Sequence, residues 1–222
     1  MKIKLENFTK EFRTTCLFKN QNLEIDLNNG EVAFITGENG SGKSTLFKII
    51  AGILHINSGK IEVDQNISYD KWSKNNCYYM PASDKGLTYK LTGIENIRYL
   101  CSLKGRSFKD TLNDLTYYAD FFGANEFLNR KAEEMSTGQK RLVHILSALS
   151  SPCSVILLDE PTIALDERNI NILIEIIKNE KKDKKKKFIM VSHDRYFRDR
   201  FNSEDFIISN NTIRKEIHYE SN

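Results

Sequence analysis

Cysteine is sparse: Cys16, Cys77, Cys101 and Cys153 are far apart, and no two form a C-x-x-C pair. That spacing argues against a cysteine zinc site and against the disulfide framework of a small secreted domain, so the thiols are expected to be reduced. The chain also lacks an apolar run long enough to span a bilayer. Its start, Met1-Lys2-Ile3-Lys4-Leu5-Glu6, is charged at alternate positions, unlike a secretory signal. The expected location is the cytosol, with any work at a membrane done through a partner. A strong charge excess is missing too, since 33 basic and 30 acidic residues leave a net charge of +3. Charge therefore implies no nucleic-acid partner. There is no internal repeat, and 222 residues suit one large domain, or one domain with a lobe inserted, rather than two full domains.

What the chain does carry is Gly37-Glu38-Asn39-Gly40-Ser41-Gly42-Lys43-Ser44-Thr45, a match to the phosphate-binding pattern G-x-x-x-x-G-K-[ST]. Glycines let several N–H groups converge on one anion, where a Cβ would obstruct the phosphates. Lys43 brings a charge to the terminal phosphates and Ser44 a hydroxyl to Mg²⁺. A helix opening there adds the positive end of its dipole. The flanks agree: Val32-Ala33-Phe34-Ile35 reads as a buried strand, and the stretch from Thr45 has apolar positions at helical spacing that stop at Gly52.

Before this loop, the alternating runs Ile3 to Phe8 and Leu23 to Leu27, with a turn at Asn28-Asn29-Gly30, predict antiparallel strands. Phe12 falls in a connection there, where its ring either packs into a small core or stacks on a base. Further on, Ser58 to Val63 and Asn76 to Met80 read as strands, the second ended by Pro81. The texture then becomes helical. Ile94, Ile97, Leu100 and Cys101 share one face, and Leu112, Leu115, Tyr118 and Ala119 share another that ends near Gly123. A third helix is predicted from Gln139 to Leu149, and a fourth from Ile170 to Ile177. Val155 to Leu158 and Phe188 to Val191 are continuous apolar strands, as a sheet buried on both faces requires. Phe206 to Ile208 and Thr212 to Ile217 predict a closing hairpin across Asn210-Asn211. Strands separated by helices give an α/β fold with a mostly parallel sheet.

Phosphoryl transfer to water needs a positioned metal, a group orienting the water, and charge stabilisation. Asp159, Glu160 and His193 each end an apolar strand, where parallel sheets bind ligands. Asp159 is placed to hold Mg²⁺, Glu160 to polarise water and His193 to touch the terminal phosphate. Singly, each also reads as a solvated strand end or a structural donor.

Together these segments resemble the nucleotide-binding subunit of an ATP-binding-cassette (ABC) transporter along nearly the whole chain. Met135-Ser136-Thr137-Gly138-Gln139 is similar to the family signature, usually written LSGGQ, and Ala164-Leu165-Asp166 to its D-loop. The resemblance implies a phosphate-loop NTPase fold with an antiparallel β subdomain and an inserted helical subdomain. It divides the chain into a core of about 1–84 and 152–222 and a helical part of about 85–151. It implies Mg²⁺-dependent ATP hydrolysis, with Glu160 as base, His193 as switch and Phe12 under the adenine. It also implies a composite site, in which Ser136, Gly138 and Gln139 of one subunit close over the phosphate loop of another, and it counts Asp166 of the D-loop among the nucleotide-binding residues. ATP-dependent homodimers or heterodimers, a separate membrane permease and a cytoplasmic, membrane-peripheral location follow from the likeness.

One departure stands out: the family glutamine expected after Pro81 is Ala82 here, whose methyl neither donates nor accepts. Either Ser83 or Asp84 takes over its metal contact, or this loop packs against a partner without one. Lys181 to Lys187 reads as a solvated linker, or as a patch for anionic lipid heads. Besides a transport motor, two functions stay open: a soluble ABC ATPase outside transport, and a switch that closes on ATP without turnover.

Overall fold

The computed structural model describes residues 1–28, 32–64, 67–105, 107–183 and 186–216. In chain order these form β1 (Lys2–Phe12), β2 (Thr15–Asp26), β3 (Val32–Gly37), α1 (Lys43–Ile50), β4 (Ser58–Val63), α2 (Tyr69–Asn76) and β5 (Cys77–Met80). There follow α3 (Gly93–Ser102), α4 (Phe108–Phe122), α5 (Thr137–Leu149), β6 (Val155–Asp159), α6 (Glu167–Asp183), β7 (Lys187–Val191), α7 (Arg195–Arg198), β8 (Ser203–Ser209) and β9 (Thr212–Glu216).

Two sheets result. The larger has the order β5-β6-β7-β3-β8-β9, parallel throughout except for the final β8–β9 hairpin. Asn210 and Asn211 both adopt positive φ at that hairpin, the conformation its two-residue turn demands. The smaller sheet, β2-β1-β4, is antiparallel.

Side chains alternate across a strand, and here the alternation sorts the large sheet into two cores. Val32, Phe34, Ile156, Leu158, Phe188 and Met190 face the side packed with Ile97, Tyr118, Leu146 and Ile177 of α3 to α6. Ala33, Ile35, Val155, Leu157, Ile189 and Val191 face the side holding α1 and the small sheet. Phe47 and Leu46 of α1 and Phe8 of β1 are fully buried in that second core. Burial on this scale contributes about 1.5–3 kcal/mol for each large side chain. Continuous apolar strands are therefore what two cores sharing one sheet require.

Helix starts are fixed by local chemistry. Thr92 and Glu95 form a reciprocal capping box at α3, and Ser136 and Gln139 form another at α5. From Arg141 to Leu149 every residue of α5 is buried, so this helix is the axis of the helical side.

Several sequence expectations need correction. Phe12 ends β1, paired with Thr15, rather than lying in a connection. Asn76 closes α2, a mostly polar helix with no apolar periodicity to announce it; the fully buried Trp72 anchors it in the core, with the half-buried Tyr69 packed beside it. Leu112 is exposed, off the apolar face of α4. The turn at Asn29-Gly30 and the strand end at Ile217 fall outside the described residues. Among the described residues no helix is long and apolar enough to cross a membrane.

The lysine run is not a solvated linker throughout. The backbone of α6 reaches Asp183, and β7 begins at Lys187. Lys186 is buried, its ammonium donating to the carbonyls of Leu149 and Ser151 past the end of α5. A cation there complements the negative end of the helix dipole. Lys186→Ala strands those acceptors, and chemical denaturation should register a loss of about 1–3 kcal/mol.

Candidate functional site

The loop between β3 and α1 is shaped by crowding and by backbone twist. Gly37, Gly40 and Gly42 have φ of 140°, 81° and 107°, where side chains with a Cβ are strained. A Cβ at Gly37 would stand 2.4 Å from the Ile208 carbonyl, and one at Gly42 would meet the Phe18 ring at 2.8 Å. At Gly40 a Cβ would meet nothing within 4 Å, because that glycine faces the open cleft. Gly42 caps α1 without any side-chain bond, so the first amides of the helix keep their donors for an incoming anion.

The cleft has a volume of about 680 Å³, and it collects most of the predicted residues. Asn39, Gly40, Gly42, Lys43, Ser44 and Thr45 line it from the loop, and Asp159, Glu160 and His193 from the strand ends. Phe12 and Leu17 close its far wall. Glu38 and Ser41 lie instead in a neighbouring cavity with Asn210 and Asn211. The Lys43 ammonium donates to the carbonyls of Gly37 at 2.7 Å and Glu38 at 2.8 Å, leaving one of its three N–H groups to face the cleft. Burial lowers its pKa, opposed by the charges of Glu160 and Asp159.

Asp159 is the hub. Its Oδ2 accepts from the Ser44 hydroxyl at 2.7 Å and from the Tyr79 hydroxyl at 3.1 Å. Both hydroxyls pay back the cost of burying that carboxylate. Ser44 and Asp159 supply hard oxygen donors, the kind Mg²⁺ takes in small number beside its waters and phosphate oxygens. Among the described residues no group of three or more His, Cys, Asp or Glu side chains forms a metal cage.

Glu160 has φ of 51°, a left-handed conformation that costs a residue with a Cβ about 1–3 kcal/mol. The twist turns its carboxylate towards His193. The His193 amide donates to Glu160 Oε2 at 3.2 Å, and His193 Nε2 lies 3.4 Å from Oε1. The histidine side chain is 57% exposed and the glutamate 12%, so the pair borders the cleft with the acid on the inside. The Phe12 ring is 44% exposed, with the Lys10 ammonium 4.8 Å from its centroid.

Ser136, Gly138, Gln139 and Asp166 do not line this cleft. Ser136 and Gln139 complete the capping box of α5, and Asp166 accepts from the Asn169 amide at the start of α6. Gly138 is needed for another reason: a Cβ there would stand 2.7 Å from the carbonyl of Ala164, which itself has φ of 63°.

Sequence reasoning passed over Tyr79, Leu17 and Arg141, all at or behind this site. Tyr79 looked like one of several aromatic strand residues, and Arg141 like any polar residue on an amphipathic helix. No pattern in the chain marks a buried cation before its fold is known. Ala82 does line the cleft, and behind it stands His144, buried, with Nε2 unpartnered.

Comparison with known proteins agrees with this geometry. A family model described as ABC transporter matches residues 20–163. The ergothioneine transport ATP-binding protein of Helicobacter pylori (strain G27) is 31% identical over 86% of this chain and 90% of its own length. The ribose import ATP-binding protein of Lactococcus lactis subsp. cremoris (strain SK11) is 30% identical over 80% of this chain, but this chain spans 37% of its length. Among solved structures, a dimeric post-hydrolysis state of the ATP-binding cassette MJ0796 bound to ADP and Pi superposes with a TM-score of 0.83 at 27% identity, covering 96% of this chain and 97% of that one.

Burial, and then the charge of Arg141, lower the pKa of His144 from 6.5 to about 4, against a smaller opposing pull from the Asp84 backbone. A depressed folded-state value means stability that is whole above the ordinary histidine range and is lost as pH falls through the folded value. His144→Gln should therefore flatten the decline in unfolding free energy between pH 6.5 and 4, a difference on the order of a few kcal/mol, followed by urea titration at several pH values.

Proposed function

The chain belongs to the ABC transporter family, and from that premise we propose that it is the ATP-binding and ATP-hydrolysing subunit driving a separate membrane permease. The observation that carries this reading is the meeting of Ser44, Asp159, Glu160 and His193 around one cleft at the mouth of the glycine loop. The chain acts as one unit, with about 1–84 and 152–222 holding nucleotide and about 85–151 presenting the signature.

The loop amides and Lys43 hold the triphosphate, and the Phe12 ring stacks on the base opposite Lys10. Ser44 and Asp159 would hold Mg²⁺, which would supply charge neutralisation during the transfer. Glu160 accepts a hydrogen bond from the attacking water and draws its proton, and His193 orients the glutamate and faces the terminal phosphate. With both groups adjacent, turnover is favoured over a switch that only binds.

Ser136 and Gly138 stand apart from their own phosphate loop, at the N-terminus of α5. A second cassette, identical or related, brings its signature to this loop and receives this chain's signature in return. The site is complete only in that head-to-tail pair. The pair works at the cytoplasmic face of a membrane, on the permease rather than in the bilayer.

Of the two candidates to replace the missing glutamine, Ser83 is better placed. It shares a cavity with Ser44 and Asp159, whereas the Asp84 carboxylate is committed to the Tyr89 hydroxyl at 2.6 Å. Ser83→Ala should lower Mg²⁺-dependent hydrolysis several-fold, on the order of one lost hydrogen bond, while Asp84→Ala leaves it within about twofold. The reverse ranking in a steady-state assay would transfer the role to Asp84.

Glu160→Gln should abolish phosphate release while retaining ATP, and gel filtration should show a stable ATP-bound dimer. Lys43→Ala should instead weaken nucleotide binding, read by calorimetry. Normal turnover in the glutamine variant would remove Glu160 from the role of base.

A further inference from the structure

We infer that Arg141 is the positioning residue that ties the helical side to the reacting end of the sheet, a coupling that needs no polar side chain at position 82. This inference rests on the hydrolytic reading above. Arg141 lies in the first turns of α5, a few residues past the signature, and its guanidinium points away from solvent into the junction of β5 and β6.

There its donors go to main-chain carbonyls. One nitrogen donates to Pro81 at 2.7 Å, and another to Asp159 at 2.6 Å and to Glu160. The Nε–H reaches towards Pro161 at 3.4 Å. Pro81 immediately precedes Ala82, and Asp159 to Pro161 is the segment that carries the metal-side and water-side carboxylates. A planar fork with fixed donor spacing sets the distance between those two strand exits in a way a flexible ammonium cannot. Because the acceptors are backbone oxygens, the linkage survives the loss of a hydrogen-bonding side chain at 82.

Two more observations favour a positioning role over simple packing. The segment it grips is the strained one: Glu160 and Ala164 both have positive φ, and a left-handed glutamate persists only where its surroundings hold it. Arg141 is also buried to 5% exposure with no carboxylate among its bonded partners, so its charge stands behind Asp159 and Glu160 rather than neutralising one of them by contact. Burial lowers its pKa to about 10, with Asp159 and then Glu160 opposing, so it is protonated at neutral pH. Any tilt of α5 is thereby transmitted to the carbonyls of Pro81 and Glu160 together.

The test uses Arg141→Lys, which keeps the charge and loses the fork, beside Arg141→Gln and the wild-type chain. Amide hydrogen exchange without nucleotide reads the clamp directly, at Ile163 and Leu165 in the turn after Glu160 and at Leu87 in the loop after Pro81. We expect both segments of Arg141→Lys to exchange about tenfold faster while the strands of the sheet keep their protection. Steady-state hydrolysis should fall on the order of tenfold to a hundredfold in kcat, with KM for ATP within about threefold. Wild-type exchange in both segments of Arg141→Lys, or unchanged kcat, would overturn the assignment. So would faster exchange throughout the chain, since that marks a residue holding up the fold at large. A wild-type chain that fails to hydrolyse ATP would remove the hydrolytic reading, and the exchange measurement would still decide whether the clamp exists.

Discussion

A hydroxyl and a carboxylate 115 residues apart in the chain meet at 2.7 Å, Ser44 on Asp159, and the arrangement of the site depends on that meeting. It joins the first turn of α1 to the end of β6. Asp159 is buried, and it is followed directly by a second acidic residue. Two adjacent carboxylates at a closed strand end repel each other, and each loses hydration. They are tolerated because two buried cations, Lys43 in front and Arg141 behind, face them, and because hydroxyls from Ser44 and Tyr79 satisfy Asp159. The site is thus a balanced charge cluster assembled from four separate elements.

The same segment concentrates the backbone strain. Glu160 and Ala164 are non-glycine residues with positive φ, set four apart on either side of a tight turn. The Glu160 amide is fixed to the Val191 carbonyl at 2.9 Å, and the Ala164 carbonyl rests on Gly138 so closely that no other residue fits. Strain of this kind is stable only when neighbours on several sides hold it. Here those neighbours belong to β7 and to α5, so the turn is held by both the sheet and the helical side.

Much of this was legible in the amino-acid sequence. The apolar runs of β3, β6 and β7 announced a sheet buried on both faces, and the glycine loop announced an anion cradle, because each rests on local rules of spacing and residue type. The strand ends Asp159, Glu160 and His193 were readable for the same reason. What escaped was whatever depended on long-range contact. The polar helix α2 is held by Trp72 docking in the core, a tertiary effect that overrides weak local preference. Lys186 looked like one more solvated lysine, yet carbonyls near the end of α5 draw it inward. Arg141 shares the helix of Leu142 and Val143, and only the folded chain reveals that it points into a nest of carbonyls rather than out to water.

Because neighbouring residues of β3, β6 and β7 face opposite ways, the large sheet works as a party wall between two rooms with separate furniture. Val32 and Phe34 belong to one room, Ala33 and Ile35 to the other. Drift in the residues that shape the α3–α6 room can proceed while the packing beneath α1 and the glycine loop stays as it was. The segment from Asp159 to Pro161 is a doorway in that wall, held by Ser44 of α1 from one room and by Arg141 of α5 from the other.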